Sequence, residues 1–189
     1  MAGGKGEVTR AKLIASAEAL FAGKGYHAAT VSQIVAGAGL TQASFYLHFA
    51  SKEEMLKELL NRFETRMLEL GNAGEEAGRQ PEGEVESFAA GSLVRMFKLL
   101  GENINLSKIA LQGASGDRIR RELAQQVYTN LKLNQSRGVV SPDIDPEVAA
   151  ESLVASVESL TYRYLLNGER SEEELGRQAA RVFLRGILK

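Results

Sequence analysis

TVSQIVAGAGLTQASFYLHF, residues 30–49, is the stretch that decides the fold. It divides into two short helical segments joined by a turn at Ala38, Gly39 and Leu40. Thr30 and Gln33 have the spacing of a capping box, in which the Thr hydroxyl accepts an amide of the first turn and the Gln side chain returns to the cap amide. Behind that cap, Val31, Ile34, Val35 and Ala38 fall on one side, leaving Ser32, Gln33 and Ala36 outward. Gly37 and Gly39 flank the stop, and at least one of them is expected to supply the positive φ of a helix exit. Thr41 can cap the second helix, with Leu40 and Phe45 spaced as a hydrophobic staple. With Phe45 and Phe49 pinned inward, helical geometry turns Ala43 and Leu47 away from the core, with Ser44 and Tyr46 on the flanks and Gln42 at the leading edge. Such a surface can touch a base edge, a thymine methyl or a phosphate.

The flanking sequence is helical throughout. Leu13, Ile14, Ala17, Leu20 and Phe21 form the apolar stripe of a helix ending near Gly23, which would roof the two short helices into a three-helix unit. Ser51, Lys52, Glu53 and Glu54 read as a second capping box, opening a helix that fades at Gly71. Residues 71–83, rich in Gly and Glu, read as a mobile loop. Further helices are expected over about 84–101, over about 103–137 in two pieces broken near Gly113 to Gly116, and over about 146–167 and 171–188. Asp145 with Pro146 offers an N-cap and an N1 proline, and Ser171 to Glu174 a third capping box. No strand-like alternation competes, so the fold class is all-α.

Composition narrows the function. The 189 residues can bury a sizeable core. Absence of cysteine excludes disulfides and thiolate chemistry and suits a reducing cytoplasm. The start, MAGGKGEVTR, has no apolar core of a signal sequence, and no apolar run reaches the roughly 18 residues of a membrane span. Net charge is −1, yet residues 1–52 hold Lys5, Arg10, Lys12, Lys24 and Lys52 against Glu7 and Glu18 alone. A basic N-terminal part on a more acidic body is the asymmetry expected where one end meets phosphate. An enzyme has little to work with: only two histidines, no glycine-rich phosphate loop after a strand and no recognisable carboxylate pair. No metal site is expected, His27 having no ligand partner nearby in sequence, and no cofactor.

Thr30, the Ile34-Val35-Ala36 run, Ala38-Gly39-Leu40, the segment Ser44-Phe45-Tyr46-Leu47-His48-Phe49 and Ser51-Lys52-Glu53-Glu54 together resemble the DNA-binding domain of the TetR family of bacterial transcriptional regulators. With the upstream stripe the likeness covers roughly residues 9–55. It departs at Ala43, where members often carry Gly or Pro, and at Leu47, where they often carry an aromatic. Both positions face DNA, so the resemblance does not supply the operator sequence.

The resemblance implies an N-terminal three-helix helix-turn-helix domain, residues 1–50, and a helical ligand-binding and dimerisation domain, residues 51–189. It implies a ligand-responsive DNA-binding regulator, a repressor released from double-stranded operator DNA by a small effector, which the Met, Phe and Tyr residues of the middle helices and their few internal charges suggest is mainly apolar. Carried over by position, Gln42 and Ala43 become base contacts, and Thr41, Ser44, Tyr46, His48 and Lys52 phosphate contacts. Ser32 and Gln33 reach a base edge or the backbone, while Lys5 and Arg10 follow the backbone or enter the minor groove from a flexible arm. Phe63, Met67, Phe88, Met96, Phe97, Ile104, Leu106 and Tyr128 are the candidate pocket residues.

The last two helices have apolar faces wider than one neighbour would cover. Leu153, Val157, Leu160 and Tyr164, with Ala179, Val182, Phe183 and Ile187, are therefore expected to pair with their symmetry mates in a homodimer. The competing reading is a helical protein-interaction module that binds no DNA, since fold alone does not fix function.

Overall fold

The computed structural model describes residues 3–81 and 83–187, apart from the side chains of Lys5, Arg62 and Ile187. Its elements are α1 (Gly3–Lys24), α2 (Val31–Ala38), α3 (Gln42–Tyr46), α4 (Lys52–Gly71), α5 (Ala73–Ala77), α6 (Val85–Glu102), α7 (Ile104–Ala110), α8 (Gly113–Ser136), α9 (Pro146–Leu160) and α10 (Glu172–Ile187). A single π-helical turn, Thr161–Leu165, follows α9. No strand occurs among the described residues. The chain forms two compact units, one of Met1–Glu64 with Asn105–Gln112 and the other of Thr65–Ile104 with Gly113–Lys189.

In the first unit, the periodicity of the sequence becomes a core. Leu13, Ala17 and Phe21 of α1, Ile34 and Val35 of α2, and Phe45 and Phe49 in and after α3 are buried with Met55 of α4. Helix α2 comes close enough to α1 that a side chain at Gly37 would run into Ser16, whose hydroxyl donates to the Ile34 carbonyl at 2.8 Å. Of the two glycines at the helix stop, Gly39 supplies the left-handed turn, at φ +66°.

The second unit departs from the sequence expectation at residues 71–78, the first part of the stretch read as a loop. This stretch is not a loose loop: Gly71, Asn72 and α5 lie along α8. A Cβ at Gly71 would strike Gln126, one at Gly74 would come within 2.9 Å of Asn130, and one at Gly78 would strike Asn134. In return Asn130 Nδ2 donates to the Gly71 carbonyl at 3.0 Å and Asn134 Nδ2 to that of Gly74 at 2.9 Å. The glycines permit close approach, and the amides of α8 satisfy the exposed carbonyls.

Elsewhere α10 packs along α6 and α8 along α9. A cluster of Leu131, Val140, Ala149, Ala150, Ala180 and Leu184 is buried at one place in this unit. Arg120 of α8 grips both carboxylate oxygens of Glu158 on α9, at 2.8 and 2.7 Å. The break between α7 and α8 falls at Leu111 and Gln112, with Gly113 at φ +57°. The helical run that α9 begins extends to Leu165, close to the expected end, but changes to the π form at Thr161. Thr161, fully buried, donates its hydroxyl to the Val157 carbonyl at 2.7 Å, and the Leu166 amide reaches five residues back to Thr161. Side-chain competition of this kind loosens a helix locally.

Candidate nucleic-acid interface

The two short helices are capped as their residues require. Thr30 Oγ1 accepts the Gln33 amide at 3.3 Å and Gln33 Oε1 accepts the Thr30 amide at 3.2 Å, closing the box at the start of α2. Thr41 Oγ1 accepts the Ser44 amide at 3.3 Å and lies 3.1 Å from Ser44 Oγ at the start of α3. Phe45 and Phe49 hold α3 to the core, their ring centroids 5.7 Å apart. Gln42 and Ala43 are exposed, Tyr46 is 57 % exposed and Leu47 83 % exposed, while Ser44 and His48 are half-buried. Tyr46 meets Phe45 edge-on at 5.3 Å and keeps most of its ring at the surface. Leu47 belongs to this outward set although no polar chemistry singles it out; its signal in the sequence is its position four residues after Ala43.

Several polar candidates have other work inside the protein. Gln33 commits its carbonyl oxygen to the cap. Arg10 is not on a flexible arm: helix α1 begins at Gly3, and the Arg10 guanidinium pairs with Glu58 while lying 5.1 Å over the Phe49 ring. The side chain of Lys5 lies outside the described residues. Lys52 departs furthest from its expected role. Its ammonium donates to the carbonyls of Tyr26 and Ala29 at 2.9 and 2.7 Å and sits 4.3 Å over the Tyr26 ring. The second capping box is also modified: Ser51 Oγ accepts the Glu54 amide, but the Glu54 carboxylate reaches the amide of Ala50 instead of Ser51. Similarly, Ser171 accepts the Glu174 amide while Glu174 pairs with Arg170.

Tyr26, Lys52 and Glu53 thus clasp the loop before α2 to the start of α4, an arrangement that no local spacing announces. The Lys52→Ala variant should lose about 1–3 kcal/mol of stability, the scale of hydrogen bonds to a charged donor, without changing the salt dependence of DNA binding. Urea titration alongside salt-dependent binding checks this; a flatter salt slope at unchanged stability would return Lys52 to the phosphate contacts.

Tyr26 donates its hydroxyl to Glu53 Oε1 at 2.8 Å. Burial, then this bond and the adjacent carboxylate, push the phenol up to about 12. The same bond is the main cause holding the Glu53 carboxyl below its ordinary value. A raised phenol contributes stability that is complete below its ordinary pKa of about 10 and is lost as pH rises through the folded value. The Glu53 contribution runs the other way, present above the ordinary carboxylate pKa and lost as pH falls through the depressed one. Thermal melts of wild type should therefore decline more steeply than those of Tyr26→Phe between about pH 10 and 12; parallel curves would contradict the clasp.

The other two candidate sets are only partly brought together. Phe63 and Leu106 fall in the first unit and Met67, Phe88, Met96, Phe97, Ile104 and Tyr128 in the second. Phe63, Met67, Met96 and Phe97 are buried, Phe88 and Leu106 half-buried and Ile104 exposed, while Tyr128 packs on the Leu131 and Ala150 cluster. Of the expected interface residues, Ala179 and Phe183 are taken up inside the protomer, Ala179 on the buried face of α10 and Phe183 against that same cluster. Packing of α10 on α6 is the reason, since it uses the apolar stripe first. Leu153, Val157, Leu160 and Tyr164 are half-buried, and the Ile187 side chain lies outside the described residues. Outward on α10 are Gln178, Arg181, Val182 and Arg185, with Val182 77 % exposed. Outward on α9 are Val148, Ser152, Ala155 and Ser156.

Residues 13–59 match the family of bacterial regulatory proteins, tetR family. The HTH-type transcriptional regulator YdgC of Bacillus subtilis is 33 % identical over 186 residues, covering 97 % of this chain and 95 % of that protein. The ketosteroid transcriptional regulator KstR2 of Mycobacterium tuberculosis shares the fold with a TM-score of 0.75 at 24 % identity, covering 95 % of each chain. SmeT, solved as a complex with triclosan, superposes with a TM-score of 0.72 at 22 % identity, over 96 % of this chain and 92 % of that one. Because the Bacillus relative matches nearly end to end, and not through the helix-turn-helix alone, the chain belongs to the TetR family of bacterial regulatory proteins and is a helix-turn-helix regulator of transcription.

Proposed function

We propose that the protein is a two-fold dimeric repressor that sets α3 of each protomer into successive major grooves of its operator and leaves DNA when a small, mainly apolar molecule binds the helices after residue 50. The observation that carries this reading is the outward display of Gln42, Ala43, Tyr46 and Leu47 on a helix fixed by the Thr41 cap and by buried Phe45 and Phe49. Two such helices in one operator need a separation near 34–36 Å, or about one helical turn. An effector that prefers a dimer with another separation weakens DNA binding by its differential affinity for the two states.

Residues 1–50 serve as the reading domain and 51–189 as the sensing and pairing domain. Thr41, Ser44, Tyr46 and His48 contact phosphate, and Gln42 and Ala43 contact bases. Dimerisation uses the outward faces of α9 and α10, where small residues at Ser152, Ala155 and Ser156 allow close helix approach around Val148 and Val182. Buried Met67, Met96 and Phe97 supply apolar surface for the effector. Two proteins of the same fold, one described as a ketosteroid transcriptional regulator and one solved as a complex with triclosan, support an apolar ligand class. No described helix is long and apolar enough to cross a membrane, and we infer action in the cytoplasm, where the operator lies.

Sedimentation and footprinting test this reading together. The expected result is a dimer at micromolar concentration that protects two half-sites related by a two-fold axis. A monomer, or protection of one half-site only, would overturn it. Native mass spectrometry of the purified protein should reveal an apolar co-purified molecule whose addition releases DNA.

A further inference from the structure

Residues 41–49 contain neither Arg nor Lys, so the bidentate cation that most often reads guanine is missing from the recognition helix. What the helix offers at its leading edge is an amide with a fixed partner. Gln42 Nε2 donates to Ser32 Oγ at 2.7 Å. Ser32 stands on α2, whose start is locked by the Thr30 and Gln33 box and whose body is held against α1 at Gly37. The serine is therefore a rigid post, and it restrains a side chain that is otherwise exposed and rotamer-rich.

With one Nε2 hydrogen committed to Ser32, Gln42 keeps Oε1 as an acceptor and its second Nε2 hydrogen as a donor. Neither has a partner among the described residues. That pairing complements the major-groove edge of adenine, which shows the N6 amino donor beside the N7 acceptor. Guanine would place its O6 acceptor against Oε1, and two acceptors face to face repel. Leu47, 83 % exposed and on the same face as Ala43, adds an apolar surface suited to the C5 methyl of thymine.

We propose that Ser32 and Gln42 act as one reading unit for adenine, with Ser32 the positioning residue, and that α3 selects A·T pairs in each half-site. This rests on the DNA-reading assignment of α3 made above, and deepens it to the chemistry of the base.

Selection from a random duplex library, with base preferences read position by position, tests the proposal. Wild type should enrich adenine over guanine by about 10- to 100-fold at one fixed position per half-site, the range of a good bidentate contact. Gln42→Ala should lose that preference. Ser32→Ala should weaken it several-fold at that position alone, with an unchanged thermal melt, and Ser32→Thr, which keeps the hydroxyl, should restore it. Guanine at that position in the wild type would overturn the proposal, as would an undiminished adenine preference in Ser32→Ala. Enrichment of no duplex at all would instead remove the DNA-reading assignment, and the adenine reading with it.

Discussion

Phe45→Ala should cost the first unit about 3–5 kcal/mol and abolish duplex binding, while Leu47→Ala, two residues away, should leave stability unchanged and weaken only binding. The contrast follows from burial: Phe45 is fully buried and Leu47 is 83 % exposed. Truncating Phe45 removes the ring that packs against Phe49 and Tyr46 and leaves a cavity beneath a helix of only five residues. The helix cannot hold itself by its own hydrogen bonds, because one turn and a half is far below the length that is stable alone in water. Since a whole domain is stabilised by only about 5–15 kcal/mol, a loss of this size is a large share of the total. Hydrogen exchange resolves the effect: the amides of α2 and α3 should lose protection in Phe45→Ala and keep it in Leu47→Ala. Equal protection in both would show that α3 is not anchored through Phe45.

A second large effect is expected at Gly176. A Cβ placed there would lie 2.5 Å from Cα and 2.6 Å from N of Val94, both backbone atoms that cannot rotate aside. Helices α10 and α6 therefore touch main chain to main chain, and Gly176→Leu must push them apart. The expected cost is about 3 kcal/mol or more, the upper range of overpacking, because relief requires moving a helix and not a rotamer. Displacing α10 also moves Val182 and the outward face proposed for dimerisation, so, if that face pairs as proposed, sedimentation should show dissociation at concentrations where wild type is dimeric. Urea unfolding within about 1 kcal/mol of wild type would contradict the close contact.

The helix-turn-helix was legible in the sequence because its determinants are local. Caps at Thr30 and Thr41, the left-handed Gly39 and the inward pair Phe45 and Phe49 all act within a few residues of one another. Charged and glycine residues were harder to read, since their partners lie far along the chain. Lys52 finds its carbonyls 23 and 26 residues back, and Arg10 finds Glu58 at a separation of 48. Nothing in the local pattern distinguishes such a cation from one waiting for phosphate. The same holds for Gly71, Gly74 and Gly78, where glycine signals a loop by propensity but serves here as a contact surface for Gln126, Asn130 and Asn134. On α10 the apolar stripe is visible, yet which half of it faces α6 depends on Gly176 meeting Val94.

Salt dependence of duplex binding bears most directly on the central claim that α3 and its neighbours read DNA. With purified protein and a duplex enriched by selection, log affinity should fall linearly with log salt, at a slope of about −0.9 for each phosphate neutralised. One cation per protomer meeting phosphate, the role the resemblance gives Lys5, predicts for the dimer a drop of roughly 10-fold between about 50 and 200 mM salt. An affinity that stays level across that range would mean that no phosphate is neutralised, and would contradict the account.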